Sequence, residues 1–298
     1  RTIASMPLSP EARLAWRQRR EERREKQRAL NVVRAKQTHA LRAAYELTHT
    51  PTSAPPPPSN LQVGCSGWYY WHWKGDFYPA DLPGSKWFDH YAANFRTVEL
   101  NAPFYLWPTP ATVATWIRQA GRRRFTYTVK VNELITHTKR FARTADDVRA
   151  FGHIADLLGP RMGCFLFQLP PSVRYSAPLL ARILKQLDPR RRNVVEFRHK
   201  SWWDEKVFRA FRDTNTIFCS TSGPRLPSDL VKTADDVYVR FHGTTQWYRH
   251  DYSKAELAEW TQKIRAANPR TVWAYFNNDR EGNAIRNARE LLRQLKAK

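Results

Sequence analysis

The sequence predicts an α/β protein: a closed (β/α)8 TIM barrel preceded by a long basic N-terminal helix and a proline-rich linker. Three observations carry that prediction. From residue 61 onward, eight short β-rich runs alternate with helical stretches, the unit count and length of such a barrel. Ahead of them, residues 11–49 contain neither Gly nor Pro and have high helix propensity. Between the two lies PTSAPPPP (51–58), a stiff polyproline-type spacer. A doubly wound open sheet is the competing architecture, and eight regular units favour closure. The chain thus divides into a basic helical arm (1–50), a proline-rich linker (51–60) and a barrel domain (61–298).

The arm starts at Ser9-Pro10-Glu11, with Ser as N-cap, Pro at the first helical position and an acid in the first turn. If helical throughout, it spans on the order of 55–60 Å. Its apolar residues (Leu14, Leu30, Val33, Leu41, Tyr45) are too sparse for a continuous buried stripe, so it reads as a segment with nothing to bury. Arg17, Arg19, Arg20, Arg23, Arg24, Lys26 and Arg28 place seven cations in twelve positions. They are the candidate nucleic-acid-binding residues, and a solvated helix laced with i,i+4 pairs is the alternative. A mitochondrial transit peptide fits poorly, because such peptides avoid acids and Glu21, Glu22 and Glu25 are present. The chain opens on Arg1, which leaves room for residues upstream of it.

The predicted strands are 62–66, 97–101, 125–132, 163–170, 193–199, 216–221, 237–243 and 271–278. Each is short, rich in β-branched and aromatic residues, and bounded by turn formers. Helices are predicted near 85–94, 110–120, 144–158, 177–187, 204–213, 253–267 and 282–296. The link 222–236 is short and contains Pro, so strands six and seven are joined with at most a degenerate helix.

Lys and Arg number 50 against 27 Asp and Glu, a formal net charge of +23, which favours polyanionic partners. The first 60 residues carry +7 of it, leaving +16 for the rest. No run approaches the length of a membrane-spanning helix, and no membrane association is expected. Cys65, Cys164 and Cys219 are far apart and form no CxxC pair, which argues against a zinc site and a disulfide framework. An intracellular reducing compartment, cytoplasm or an organelle matrix, is the expected location. There is no P-loop, dinucleotide fingerprint or nucleophile elbow, so no cofactor and no metal are predicted.

Seven blocks carry a family resemblance: GCSGWYYWHWKGDFYP (64–79), VELNAPFYLWP (98–108), KVNELITHTKR (130–140), FLFQLPP (165–171), VVEFRHKSWW (194–203), YVRFHG (238–243) and YFNNDREGNAIRNA (275–288). In order, they resemble the signature blocks of the YecE-like family, domain of unknown function 72, over about residues 61–298. The resemblance implies a TIM barrel and supplies no reaction. Cys65 stands where Thr is common in that family, and the arm and spacer are additional.

Side chains alternate across a strand, so parity sorts the barrel interior from the helix-facing surface. Val98, Leu100, Tyr127, Val129, Val195, Phe197, Val239 and Phe241 belong to the outer set. That leaves Glu99, Asn101, Lys130, Asn132, Glu196, Arg198, Tyr238, Arg240 and His242 pointing inward, with Gln168 and Asn277 at comparable positions. Polar residues therefore gather at the C-terminal strand ends, where barrel sites form. Ser66 and Trp68, at the head of the aromatic stretch after the first strand, are read as floor and wall of the same pocket, with core capping as the alternative. Trp68, Ser66, Asn101, Lys130, Asn132, Gln168, Arg198, Arg240 and Asn277 are the candidate ligand-binding set. Two acids against three fixed cations favour a small anion, phosphate above all; a ligand-free salt-bridge lattice is the other reading. Glu99 and Glu196 are candidate catalytic acid and base, with His242 as proton shuttle. His72 is expected to line the pocket or hold the aromatic loop, and His137 to lie on the rim.

Two functions follow. The first is a polyanion-associated protein that binds RNA or joins a ribonucleoprotein through the arm, with an anion pocket at the barrel mouth. The alternative is an enzyme, a hydrolase of a phosphate-containing substrate using Glu and His acid–base chemistry.

Overall fold

The computed structural model describes residues 9–50, 53 and 55–297. In chain order the elements are α1 (Pro10–Glu46), β1 (Leu61–Cys65), α2 (Trp87–Asn94), β2 (Thr97–Leu100), α3 (Ala102–Tyr105), α4 (Pro110–Ala120), β3 (Thr126–Lys130), α5 (Ala145–Leu158), β4 (Met162–Gln168), α6 (Ala177–Gln186), β5 (Asn193–Glu196), α7 (Glu205–Asp213), β6 (Ile217–Ser222), β7 (Val237–Phe241), α8 (Lys254–Ala267), β8 (Val272–Phe276) and α9 (Asn283–Lys296). Local chemistry sets several boundaries. Ser9 Oγ accepts from Ala12 N at 3.1 Å to start α1, and capping boxes at Thr109/Thr112 and Ser253/Glu256 start α4 and α8. Residues 222–236 contain no helix, as their Pro content suggests. Of the proline spacer, residues 51, 52 and 54 lie outside the described residues.

All strand pairings are parallel, in the order β1-β8-β7-β6-β5-β4-β3-β2. The barrel is nearly closed. At the junction of β1 with β2, a side chain takes the place of a backbone ladder. The Tyr91 hydroxyl, from α2, accepts from Cys65 N at 2.9 Å and donates to Thr97 O at 3.0 Å. The two backbones approach so closely there that a Cβ on Gly64 would sit 2.5 Å from Thr97 O. Asn101 Nδ2 continues the stitching with a bond to Ser66 O at 3.1 Å.

The core separates by strand parity. Val98, Tyr127, Val129, Phe165, Phe167, Val195, Phe197, Val239 and Phe241 pack between sheet and helices. Cys164, Leu166, Val194, Ile217, Cys219, Tyr238, Trp273 and Tyr275 fill the barrel axis. Within it, the Tyr275 hydroxyl bonds Thr97 Oγ1 at 2.7 Å and Thr128 Oγ1 at 3.0 Å. This filled interior is the floor on which the mouth is built.

The arm corrects the sequence reading. It was expected to have nothing to bury, yet its C-terminal half docks along the barrel wall. Asn31, Ala35, Thr38 and Arg42 are buried, and Tyr45 meets His153 of α5 at a ring separation of 5.1 Å. Arg24 and Arg28 stand 3.6 and 3.8 Å from Glu133. These positions recur every three or four residues, a helical seam made of polar and small side chains. The Asn31 amide behaves like a peptide group: Nδ2 donates to Tyr105 O at 3.0 Å and Oδ1 accepts from Trp107 N at 2.8 Å. Arg34 Nη1 donates to Trp107 O at 2.9 Å, and the Trp107 indole donates to Thr38 Oγ1 at 3.1 Å. Glu133 follows β3, so the docked half ends at the mouth rim. From Arg24 back to Pro10 the helix runs on for about 20 Å at 1.5 Å per residue. That segment holds Arg17, Arg19, Arg20 and Arg23, all exposed, and Lys26 beside it is exposed too.

Candidate functional site

At the barrel mouth, one guanidinium spans two acids contributed from different strands. Arg240 Nη2 donates to Glu99 Oε1 and Nη1 to Glu196 Oε2, each at 2.6 Å. Glu99 takes two further donors, Ser66 Oγ at 2.7 Å and Tyr238 OH at 2.6 Å. All five side chains are buried, which is tolerable only because nearly every charge and lone pair is met. Burial alone would push Glu196 up, but Arg198 and Arg240 outweigh it and hold the carboxyl well below its ordinary range. Burial would likewise push Arg240 down, and Glu196 with Glu99 raises it well above.

A second layer lies toward solvent. Arg198 Nε donates to Glu196 Oε1, and Nη2 lies 2.9 Å from His242 Nε2. Arginine can only donate, so His242 Nε2 accepts. Burial, then Arg198 and Arg240, press the His242 pKa well below that of a free imidazole, so the ring is neutral with its proton on Nδ1. Asn277 Nδ2 lies 3.3 Å from Nδ1; the proton on Nδ1 favours the amide turned with its oxygen toward the ring. The loop after β7 folds back across this layer. Gly243 (φ 104°) and Tyr248 (φ 66°) take left-handed backbone, and Trp247 covers the Arg198 guanidinium at 4.7 Å.

Lys130 differs from the other cations. It ends β3 with its Nζ 3.9 Å above the Phe104 ring and has no ion pair among the described residues. Burial and the neighbouring Arg240 lower its pKa to about 7. His137, edge-on to the same Phe104 at 4.8 Å and partly exposed, is lowered to about 4 by burial and then Lys130. Three buried polar atoms around the mouth, Arg240 Nε, Thr221 Oγ1 and Asn101 Oδ1, have no hydrogen-bond partner among the described residues. Such atoms are ordinarily met by water or ligand.

The structure brings together Glu99, Lys130, Glu196, Arg198, Arg240 and His242 as parity implies, with Asn277 at its comparable strand position and Ser66 joining from the start of the loop after β1. Others go elsewhere. Trp68 packs edge-on against Phe88 of α2 at 5.2 Å, which corrects its expected place in the pocket wall. Much of the aromatic stretch caps the core instead: Tyr78 stacks on Trp87 at 4.7 Å and Trp73 is fully buried. Asn132 spends its amide on Pro103 O and Leu134 N, bracing the turn after β2. Gln168 Nε2 donates to Leu169 O. His72 holds the aromatic loop, through Asp279 O at 2.8 Å. Phe104, Tyr238 and Trp247 were missed as site residues. Parity put Tyr238 inward, where a ring reads as filler; Trp247 sits in a loop whose only signal was Gly243.

Among the described residues, no group of three or more His, Cys, Asp or Glu is placed to hold a metal ion. Nor is any helix there long and apolar enough to cross a membrane.

Residues 62–298 match the family model described as "Protein of unknown function DUF72", a match that begins after the arm. The UPF0759 protein YunF of Bacillus subtilis (strain 168) is 23% identical over 273 residues, covering 79% of this chain and 94% of YunF. The crystal structure of a DUF72 family protein from Thermotoga maritima superposes with a TM-score of 0.73 at 27% identity, over 80% of this chain and 100% of that one. One from Enterococcus faecalis gives 0.68 at 18% identity, over 80% and 96% of the respective chains, a likeness of fold.

Proposed function

The chain belongs to the DUF72 family, whose description assigns no activity, and from that premise we propose that it is a polyanion-associated barrel protein that binds RNA, alone or within a ribonucleoprotein, through α1. The observation that carries the reading is the half-docked arm. Its C-terminal half is fixed to the wall by Asn31 and Thr38, which leaves Arg17, Arg19, Arg20, Arg23 and Lys26 exposed on a rigid helix at the mouth rim. A held helix loses little entropy on binding, so its cations act as an ordered set. The barrel mouth adds a small anion site at Lys130 and Arg198. The reading takes the barrel as closed, with Tyr91 completing the seam, and the 51–58 segment as a stiff spacer. Cys65, Cys164 and Cys219 are buried free thiols, which suits a reducing intracellular compartment.

The test is the salt dependence of RNA binding by the full chain against a variant with Arg17, Arg19, Arg20, Arg23 and Lys26 replaced by Gln. Each phosphate neutralised contributes roughly 0.7–0.9 to the slope of log K against log salt, so losing five cations should flatten the variant's slope by up to about 3.5–4.5 units. Equal slopes would refute the arm as the RNA-binding element.

One observation favours an enzyme as the second reading. Lys130 titrates to about 7 beside Glu196 and Arg198, so an amine able to exchange protons at neutral pH faces the anion site. Glu99 and Glu196 are both engaged by Arg240, which makes Lys130 the stronger candidate for proton transfer. Phosphoester turnover lost in Lys130→Met even at saturating substrate, beyond its weaker phosphate binding, would support it.

A further inference from the structure

The exposed aromatic residues are not scattered. Among the described residues, the large rings left open to solvent are Trp16, Tyr69, Trp71, Tyr105 and Tyr248. Tyr69 and Trp71 follow β1, Tyr105 ends the short α3 just after β2, and Tyr248 follows β7, so all four belong to segments at the C-terminal ends of strands. Trp16 lies on the part of α1 beyond the rim, with Arg20 over its ring at 5.2 Å. Every one is therefore at the mouth end, and among the described residues the opposite end of the barrel has none. Large exposed rings are costly in water, and their confinement to one face calls for a partner with flat apolar surfaces.

Cations are interleaved with them. Lys74, Arg140, Arg143, Lys200 and Arg249 are exposed on the loops of the same face. The loop after β3 is strained to present two of them: Arg140 (φ 47°), Phe141 (φ 61°) and Arg143 (φ 54°) all adopt left-handed backbone. Phe141 is buried against Phe167 and anchors the turn while the two arginines point outward. Backbone strain in residues other than glycine persists where the surroundings enforce it, and it concentrates at ligand sites. The arm joins this face directly, because Asn31 is bonded to the backbone of Tyr105. Cations on α1, the ring of Tyr105, Lys130 over Phe104, and Arg198 under Trp247 form a path from the arm to the mouth.

We propose that this face binds an unpaired polynucleotide strand, its bases stacking on Trp71, Tyr105 and Tyr248 while the arm and the loop arginines follow the phosphates. The proposal rests on the RNA-binding reading and sharpens it. A duplex keeps its base faces covered and offers phosphate alone, so it would use the cations and leave the rings idle; an unpaired strand uses both. Stacking accepts any base, so the ligand class is single-stranded nucleic acid without strong sequence preference.

The test compares a 12-nucleotide oligo(A) RNA, the same strand annealed to its complement, and the matching oligo(dA), titrated against the full chain by fluorescence anisotropy at one salt concentration. Trp71→Ala, Tyr105→Ala and Tyr248→Ala change exposed side chains, and Tyr105→Phe keeps the ring. The RNA strand should bind at least about ten-fold tighter than the duplex, each alanine variant should lose about five- to 100-fold on the single strand only, and Tyr105→Phe should bind as the parent does. Oligo(dA) binding equally well would mark shared base-and-phosphate chemistry, and weaker binding would mark RNA; both support stacking. Equal affinity for strand and duplex, with alanine variants unchanged, would overturn the stacking proposal and leave arm-driven RNA association standing. No binding by either form would overturn both.

Discussion

The arm and the barrel mouth are both rich in arginine and treat it in opposite ways. Arg240 has 1% of its side chain exposed and shares its two terminal nitrogens between Glu99 and Glu196. Arg17, Arg19, Arg20 and Arg23 stand in solvent on α1, with Glu21, Glu22 and Glu25 among them. Both carry an excess of cations, larger in the arm. What differs is geometry. On strands, alternation sends acids and cations into one small enclosed volume, where each must find its counterpart or lose its hydration uncompensated. On a lone helix, side chains radiate and water serves each one. The net charge of the chain thus does not say where a partner meets it, and the arm presents more exposed cations than the mouth.

The sharpest way to break this comparison is to remove one arginine from each region. Arg240→Met leaves Glu99 and Glu196 buried with a lost partner and should destabilise folding by about 3–5 kcal/mol. Arg20→Met, on the exposed helix, should stay within about 0.5 kcal/mol. Chemical denaturation of the two variants measures both. Comparable losses would mean that the lattice is hydrated or that the arm helix is coupled to the core far out along its length.

A smaller effect separates the two halves of the arm itself. Asn31→Ala removes a donor from Tyr105 O and an acceptor from Trp107 N, and Trp107 is fully buried. Leaving a buried amide unpaired costs about 1–3 kcal/mol. The same substitution at the exposed Gln18 should be nearly neutral. Hydrogen exchange should also report faster protection loss along α1 in Asn31→Ala, and unchanged protection would show that the seam does not hold the helix.

The arm is where the sequence reading was weakest, and the reason is physical. Strand and helix positions in the barrel follow from apolar alternation and turn formers, and those signals survive in β2, β5 and β7 even though their inward residues are charged. Parity alone placed Glu99, Glu196, Arg240 and His242 correctly, because a side chain on a strand has only two directions. The docking face of α1 is a periodic seam of Asn31, Ala35 and Thr38, which a search for apolar residues passes over; spacing of small and amide residues was the available clue. Trp68 misled for the converse reason. A loop leaves ring direction undetermined, and Phe88 supplied an apolar surface that the pocket did not. The eight parallel strands of the nearly closed barrel were legible as a count, but the β1–β2 junction bridged by the hydroxyl of Tyr91 was not.

The finest test of the comparison lies within the mouth, where Lys130 is the one cation that behaves like neither region. Arg240 is neutralised by its partners and the arm arginines are hydrated, whereas burial and the neighbouring Arg240 lower the Lys130 pKa to about 7 although its amine sits over the Phe104 ring. The sign of the effect follows. Below pH 7 the amine is protonated and adds a charge-assisted contact to an anion held by Arg198. Above it, the free protein carries a neutral amine that must take up a proton to make that contact. Phosphate bound there raises the Lys130 pKa, so affinity should decline from about pH 7 until the bound-state pKa is reached, then level off. The decline should total about ten-fold, or about 1.4 kcal/mol. Isothermal titration of phosphate between pH 6 and 9, corrected for the second ionisation of phosphate near pH 7, would show it, with proton uptake on binding visible as a buffer-dependent heat. Lys130→Met should bind weakly at every pH and lose the proton uptake. Binding by Lys130→Met with the parent's pH profile would assign the titration to phosphate alone and return Lys130 to a packing role against Phe104.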